Sequence, residues 1–339
     1  MQANDYSLDT FSSTIDLLTH RKVLVLGDVG LDVYHYGKIS RINPEAPIPI
    51  FENLSIKETR MGLAGNVAQN IQAMHSSASL VSDYSLSIKT LASMQGIDFQ
   101  GIPTGKSAIL KERYVVDRHI VFRSDTENTS PLEDKAIEVA SRKAREALES
   151  KEYGAVVLSD YAKGFLHPKV VAETIQAARA LNIPVVVDPK PNPKVSFAFQ
   201  GATLMTPNLK EATQMVDSLN PEPSSNMTRN PEDLAPYLMG AYNLSGIIIT
   251  LGERGMYVQQ DYESRIIPAL SQQVFDVCGA GDTVTAICSL ALAAGLTLFE
   301  AAELANMAAG IVVTKFGSST CTPEELKKYR TMLKGSDAH

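Results

Sequence analysis

Residues 274–295 read VFDVCGAGDTVTAICSLALAAG, an aspartate set between a glycine pair and a run of small and apolar residues. Gly279 and Gly281 lack a Cβ, so the backbone there turns tightly and a ligand approaches its amides closely. Thr283 to Ala294 holds no glycine or proline, which predicts a largely buried helix beginning near Asp282. The start of such a helix aims unpaired N–H groups and the positive dipole end at whatever precedes it, an arrangement suited to phosphate. Gly279, Ala280 and Gly281 are therefore a candidate anion hole. An aspartate beside it accepts the proton of a substrate hydroxyl as that oxygen attacks a γ-phosphate, which makes Asp282 the candidate catalytic base. The same four residues, GAGD, also read as a loop closed by an N-cap aspartate, so the rest of the chain must decide.

Outward from this stretch, short apolar runs recur between helical patterns at Lys22–Leu26, Ala155–Leu158, Pro184–Val187, Leu204–Met205 and Ile247–Leu251. That alternation predicts an α/β fold with a mainly parallel sheet covered by helices. Ligands of such sheets sit beyond the carboxyl ends of the strands. Polar residues stand at those places: Asp28 and Asp32 after the first run, Ser159–Gly164 after the second, Asp188–Lys190 after the third, and Thr206–Glu211 after the fourth. Each alone is an ordinary turn or cap residue; together they mark a ligand edge.

Two stretches break the pattern. Residues 33–60 carry NPEAPIPI, which excludes an interior helix, and 109–124 alternate apolar and polar positions with Lys111, Arg113, Arg118 and Arg123 among them. They predict a small β lobe acting as a lid. Residues 131–150 and 168–181 read as helices, 220–233 as an exposed loop, and the tail from 335 to 339 as disordered. The segment Gly101-Ile-Pro-Thr-Gly105-Lys106-Ser107 imitates a phosphate-binding P-loop. Its glycines are one residue too close, and it lacks the strand–loop–helix setting that motif needs.

The chain has 339 residues, 36.7 kDa and a net charge of −7, with basic residues scattered, which disfavours a nucleic-acid or anionic-membrane surface. Three cysteines without CxxC spacing favour a reducing compartment. With polar residues throughout the first twenty positions and no long apolar run, the expectation is one cytoplasmic unit spanning 1–339.

In these residues the chain resembles the ribokinase-like (PfkB) sugar kinases, whose D-x-x-G-A-G-D-T signature stands here as Asp276 to Thr283. Within that superfamily it is most similar to the D-glycero-β-D-manno-heptose 7-phosphate kinases of ADP-heptose synthesis. The shared stretches are GDVGLD, SRINPEAPIPI, NVAQN, LSDYAKG, DPK, TPNLKE, GAGDT and NMAAG. The resemblance implies a three-layer α/β/α fold with a β-sheet lid and transfer of the ATP γ-phosphate to the anomeric 1-hydroxyl of that heptose phosphate, for lipopolysaccharide core synthesis. It implies Asp282 as base; Asn208, Leu209, Lys210 and Glu211 near the ATP phosphates, with Glu211 meeting Mg²⁺ through water; Thr250, Gly252 and Gly255 as a nucleotide-contacting turn; and Asn306 in the adenine wall. Asp32, Gly62 and Asn66 match positions that hold sugar hydroxyls. Arg41, Lys111, Arg113 and Lys163 are candidates for the sugar phosphate, and Asp276 with residues 315–319 resembles a K⁺-binding loop pair. A homodimer joined through the lids is the family expectation. Departures fall at Leu63 and Cys278, where relatives carry glycine and threonine, and at Gly30, where they carry a larger apolar residue. The rival readings are a kinase for another sugar or sugar phosphate, such as fructose 6-phosphate or ribose, and a non-catalytic sugar- or nucleotide-binding regulator of the same fold.

Overall fold

A computed structural model of the chain describes residues 8–219, 228–270 and 274–336. The chain opens with α1 (Leu8–Leu17), β1 (Lys22–Gly27), β2 (Val29–Ile42), β3 (Pro49–Leu63), α2 (Ala64–Ala73), β4 (Ser77–Asp83), α3 (Leu86–Met94) and β5 (Asp98–Ile102). It continues through β6 (Ile109–Val116), β7 (His119–Thr126), α4 (Asp134–Glu149), β8 (Ala155–Ser159), α5 (Pro168–Ala180), β9 (Val185–Asp188), the short α6 (Pro193–Ser196) and β10 (Leu204–Met205). The last part holds α7 (Leu209–Leu219), α8 (Pro231–Tyr242), β11 (Gly246–Thr250), β12 (Met256–Gln260), β13 (Glu263–Ile267), α9 (Ala280–Ala293), α10 (Leu298–Val312) and α11 (Pro323–Ser336).

Among the described residues nine strands form one sheet in the order β13-β12-β11-β10-β9-β8-β1-β4-β5, all running the same way except β12, which pairs antiparallel with both β11 and β13 at one edge. Successive side chains of a strand face opposite sides, and β1 shows the consequence. Val23 and Val25 join the core cluster under α1, α2, α9 and α10, whereas Leu24 and Leu26 join the one under α4, α5, α7 and α8. Burial on both faces is why these strands read as unbroken apolar runs. The result is the expected three-layer α/β/α arrangement. A separate four-stranded sheet, β3-β2-β6-β7, forms the lid, with β2 and β6 parallel and the outer pairs antiparallel.

Several boundaries differ from the sequence expectation. The lid starts at Val29 and returns to Leu63, because β2 leaves the main sheet directly after β1 and β3 feeds straight into α2. Helix α9 begins at Ala280, since Gly279 takes the left-handed conformation (φ 80°) and serves as N-cap. Asp282 is thus the third residue of the helix, not its cap. Residues 231–233, expected in a loop, open α8 with Pro231 in the first turn, where its missing N–H is harmless. Of the rest of that expected loop, 228–230 lead into α8 without regular structure and 220–227 lie outside the described residues. Helix α11 reaches Ser336 and so takes in the first two residues of the expected tail, while 337–339 lie outside the described residues. Gly101 ends in β5 and the segment after it runs into β6 without a helix, so the P-loop imitation has no anion-binding helix start.

Candidate active site

The N-terminus of α9 meets the base of the lid and the carboxyl ends of the parallel strands. Gly279 sits close to Asn66 of α2: a Cβ on Gly279 would stand 2.7 Å from Asn66 Nδ2. That amide donates to Asp282 Oδ2 at 2.6 Å, and the Tyr161 hydroxyl donates to Asp282 Oδ1. Both carboxylate oxygens are held by other elements, which sets aside the N-cap reading of Asp282. A Cβ on Gly281 would meet nothing, so the space before the first turn is open, and helix geometry leaves the Gly281 and Asp282 amides without intrahelical acceptors. Burial pushes the Asp282 carboxyl up to about 6; the Tyr161 and Asn66 donors and the Lys111 charge pull it down, while Asp32 raises it further. A carboxylate of that basicity is suited to accept a hydroxyl proton near neutral pH.

A polar chain behind Asp282 fixes α9 against α2. Thr283 Oγ1 donates to Asn70 Oδ1 at 3.0 Å, and Asn70 Nδ2 donates to the Asn66 carbonyl at 2.9 Å. Across the open space, Asp32 on β2 pairs with Arg113 on β6, Nη1 to Oδ1 at 2.6 Å, and accepts from Ser318 Oγ at 2.9 Å. Gly62 is required beside it, because a Cβ there would stand 2.8 Å from Asp32 Oδ2. Lys111 lies on β6 opposite Asp32, its ammonium 5.7 Å from the Tyr161 ring centre, and burial lowers its basicity.

The four candidate cations divide. Lys111 faces the site, and Arg113 reaches it with its charge already matched by Asp32. Lys163 turns its ammonium to Glu127 at 2.5 Å. Arg41 is exposed near the far end of β2, beside Glu52 at 4.0 Å, nine residues or roughly 30 Å along the strand from Asp32. The structure does not bring Arg41 to the cluster.

Toward the other side, Asn208 and Glu211 cap α7 reciprocally: Glu211 N donates to Asn208 Oδ1 at 2.9 Å and Asn208 N to Glu211 Oε2 at 3.0 Å. Glu211 Oε1 also meets Lys190 Nζ at 3.1 Å. Lys210 is exposed and Leu209 packs on the core. Asn208 bridges to Thr250, whose following turn places Gly252 and Gly255 at φ 64° and 90°. A Cβ on Gly255 would stand 2.0 Å from the Ile267 carbonyl, so that turn is confined to glycine. Asn306 donates to the Pro268 carbonyl at 2.8 Å and so anchors the end of β13 to α10. Asp276 accepts from Cys278 N at 2.9 Å and Gly317 N at 3.0 Å, tying the loop before α9 to the 315–319 loop.

Sequence reasoning assigned no role to Tyr161, Asp160 or Asp188, although all three stand among the polar residues noted after the strands, and it placed Ser318 only in the cation loop, not on Asp32. Asp188 is pushed well above the ordinary carboxylate range by burial and by Asp282, Glu211 and Asp160, and Asp160 is pushed up to about 7 by burial. Asp160 Oδ2 is buried without a hydrogen-bond partner among the described residues. This acidic row, with Lys190 as the lysine beside it, fits a hard cation delivered on phosphate groups. Among the described residues no three His, Cys, Asp or Glu side chains form a ready metal cage.

A nine-stranded α/β/α sheet with a β lid over a buried aspartate at a glycine-capped helix start defines a ribokinase-like carbohydrate kinase. The pfkB family carbohydrate kinase model matches residues 20–325, and the chain belongs to that family, whose members are phosphotransferases with an alcohol group as acceptor. It is 39% identical over 326 residues to the Bifunctional protein HldE of Caulobacter vibrioides, covering 93% of this chain and 64% of that protein. With the Bifunctional protein HldE of Pectobacterium atrosepticum it shares 40% identity over 317 residues, 90% of this chain and 62% of the other. The chain thus spans a little under two thirds of these relatives. In fold it is similar to phosphofructokinase-2 from Escherichia coli in complex with potassium (TM-score 0.70, 17% identity, 93% of this chain and 99% of that one). A like match is Arabidopsis thaliana ribokinase complexed with ribose and ATP (TM-score 0.63, 16% identity, 92% and 99%).

Proposed function

We propose that the chain transfers the γ-phosphate of ATP to the anomeric 1-hydroxyl of D-glycero-β-D-manno-heptose 7-phosphate, giving the 1,7-bisphosphate used for ADP-heptose and lipopolysaccharide core synthesis. The observation that carries this reading is Asp282, held by Asn66 and Tyr161 at the start of α9 and close enough to the lid's Asp32 to feel its charge. The heptose-kinase stretches SRINPEAPIPI and LSDYAKG support the choice of sugar, the latter supplying Tyr161 itself.

In this reading Asp32 and Asn66 hold sugar hydroxyls, with Gly62 leaving Asp32 room, and Lys111 supplies the cation for the substrate's own phosphate. Asp282 takes the proton of the attacking hydroxyl, and the Gly279–Gly281 backbone with the first turn of α9 receives the transferring group. Glu211 and the neighbouring Asp160 and Asp188 face Mg²⁺ carried with ATP, Glu211 through water. When bound, that ion offsets charge developing on the phosphate oxygens. Asn208, Thr250, Gly252, Gly255 and Asn306 frame the nucleotide, and the lid excludes water from the reacting groups. Asp276 and the 315–319 loop form the place for K⁺.

The lid exposes Ile42, Ile48, Leu54, Ile56 and Phe122, an apolar surface that supports a homodimer formed through paired lids. No described helix is long and apolar enough to cross a membrane, and a cytoplasmic location is part of the proposal. An ADP-release assay with Mg·ATP against the heptose phosphate, fructose 6-phosphate and ribose, with and without K⁺, tests it. Selective turnover of the heptose phosphate is expected; preferred turnover of either other sugar contradicts the substrate.

A further inference from the structure

We propose that Tyr161 is a positioning residue for the phosphoryl transfer, its phenol O–H holding Asp282 Oδ1 so that, with Asn66 on Oδ2, the carboxylate is fixed in one orientation. This rests on the reading of Asp282 as the base.

The loop that carries Tyr161 is built to deliver it. Asp28, fully buried at the end of β1, accepts three backbone N–H groups of that loop: Tyr161 at 3.1 Å, Lys163 at 3.0 Å and Phe165 at 2.9 Å. Ala162 is held at φ 55° while its N–H donates to Asp160 Oδ1 at 2.7 Å. Gly164 sits at φ 90° where a Cβ would stand 2.4 Å from the Ser130 carbonyl. A left-handed alanine and a buried carboxylate given over to holding one loop are both unfavourable locally, and they persist where surrounding structure requires one conformation. What that conformation delivers is a phenol on the base, with the Lys111 ammonium over its ring.

Burial alone would leave Asp282 still more reluctant to ionise; the Tyr161 donor counters it. The groups facing Asp282 are Asn66 from α2, Asp32 from β2, Lys111 from β6, Asp188 from β9 and Tyr161 itself. Removing the phenol oxygen therefore acts on the base in a definite direction, which a purely packing role would not.

The test compares Tyr161→Phe with the wild type in two ways. In ADP release with the sugar phosphate, the variant should lose roughly tenfold or more in kcat at pH 6, a smaller factor at pH 8.5, and keep KM for ATP within about twofold. Independently of turnover, carbon-13 titration of aspartate carboxyls, with Asp282→Asn for assignment, should show the Asp282 midpoint moving up by about half a unit or more in Tyr161→Phe. Asp28→Asn, which loosens the loop without touching Asp282, should act in the same direction more weakly. An unmoved Asp282 midpoint, or a loss of kcat equal at both pH values, overturns the proposal. Full turnover in Asp282→Asn would instead remove the base reading, a result distinguishable from an unmoved titration in Tyr161→Phe.

Discussion

Asp32 and Arg113 form a buried ion pair across the two parallel lid strands, Oδ1 to Nη1 at 2.6 Å, with only 5% and 6% of their side chains exposed. Ser318 Oγ satisfies the second carboxylate oxygen from the loop beyond α10. One ionic contact thus joins the lid to itself and to the body at the site's edge.

Removing one partner of a buried pair leaves an uncompensated charge. Arg113→Ala should lower unfolding free energy by roughly 3 kcal/mol, read by urea denaturation, and raise KM for the sugar phosphate. A loss below about 0.5 kcal/mol would mean that the lid site is effectively solvated, as exposed pairs are.

The architecture was open to sequence reading because the parallel strands are buried on both faces, so β1, β8, β9 and β11 show as plain apolar runs. The glycine-rich approach to α9 was open too, since Gly279 and Gly281 stand within a few residues of Asp282 in the sequence. What local sequence does not carry is pairing across the chain. Tyr161 is 121 residues from Asp282, and nothing near either residue states that they meet. Arg113 reads as a free cation for the same reason, its partner Asp32 lying 81 residues away. The start of α9 was misjudged by two residues because Gly279, read as a loop glycine, is the left-handed cap.

Gly281 and Gly279 should respond oppositely to alanine. Gly281→Ala adds a helix-favouring residue in open space and should stabilise by about 0.5–1 kcal/mol while lowering turnover, because its methyl group occupies the approach to the amides. Gly279→Ala meets both a left-handed backbone and Asn66, and should lose stability as well as activity. Thermal unfolding and ADP release on the two variants check this; unchanged turnover in Gly281→Ala would contradict the anion hole.

Leu63 caps α2 with φ 60° and ψ −135°, a backbone region suited to glycine, while its side chain is buried. Leu63→Gly and Leu63→Ala both lose the side chain, yet only glycine relieves the strain. The glycine variant should therefore be more stable than the alanine variant by roughly 1–2 kcal/mol, since both the positive φ and the N-cap position favour glycine over alanine. Chemical denaturation of the pair decides it.

The raised Asp282 carboxyl makes a signed prediction about pH. Its folded value, about 6, lies above the ordinary 3.8, so the folded state binds this proton more tightly than the unfolded chain. Ionised Asp282 therefore costs stability above about pH 6, and the penalty fades as pH falls toward 4. Asp282→Asn should be more stable than the wild type at pH 8 by on the order of 1–3 kcal/mol, with the difference shrinking at pH 4. Denaturation at the two pH values measures it. In the wild type, kcat/KM should fall as pH drops through about 6.

The most direct measurement is the turnover of Asp282→Asn with Mg·ATP and the heptose phosphate, beside its affinity for ATP. The account predicts a loss on the order of 10² to 10⁴ in kcat with ATP affinity nearly unchanged. Turnover within a few-fold of the wild type would contradict it, because the aspartate at the start of α9 would then not be the base.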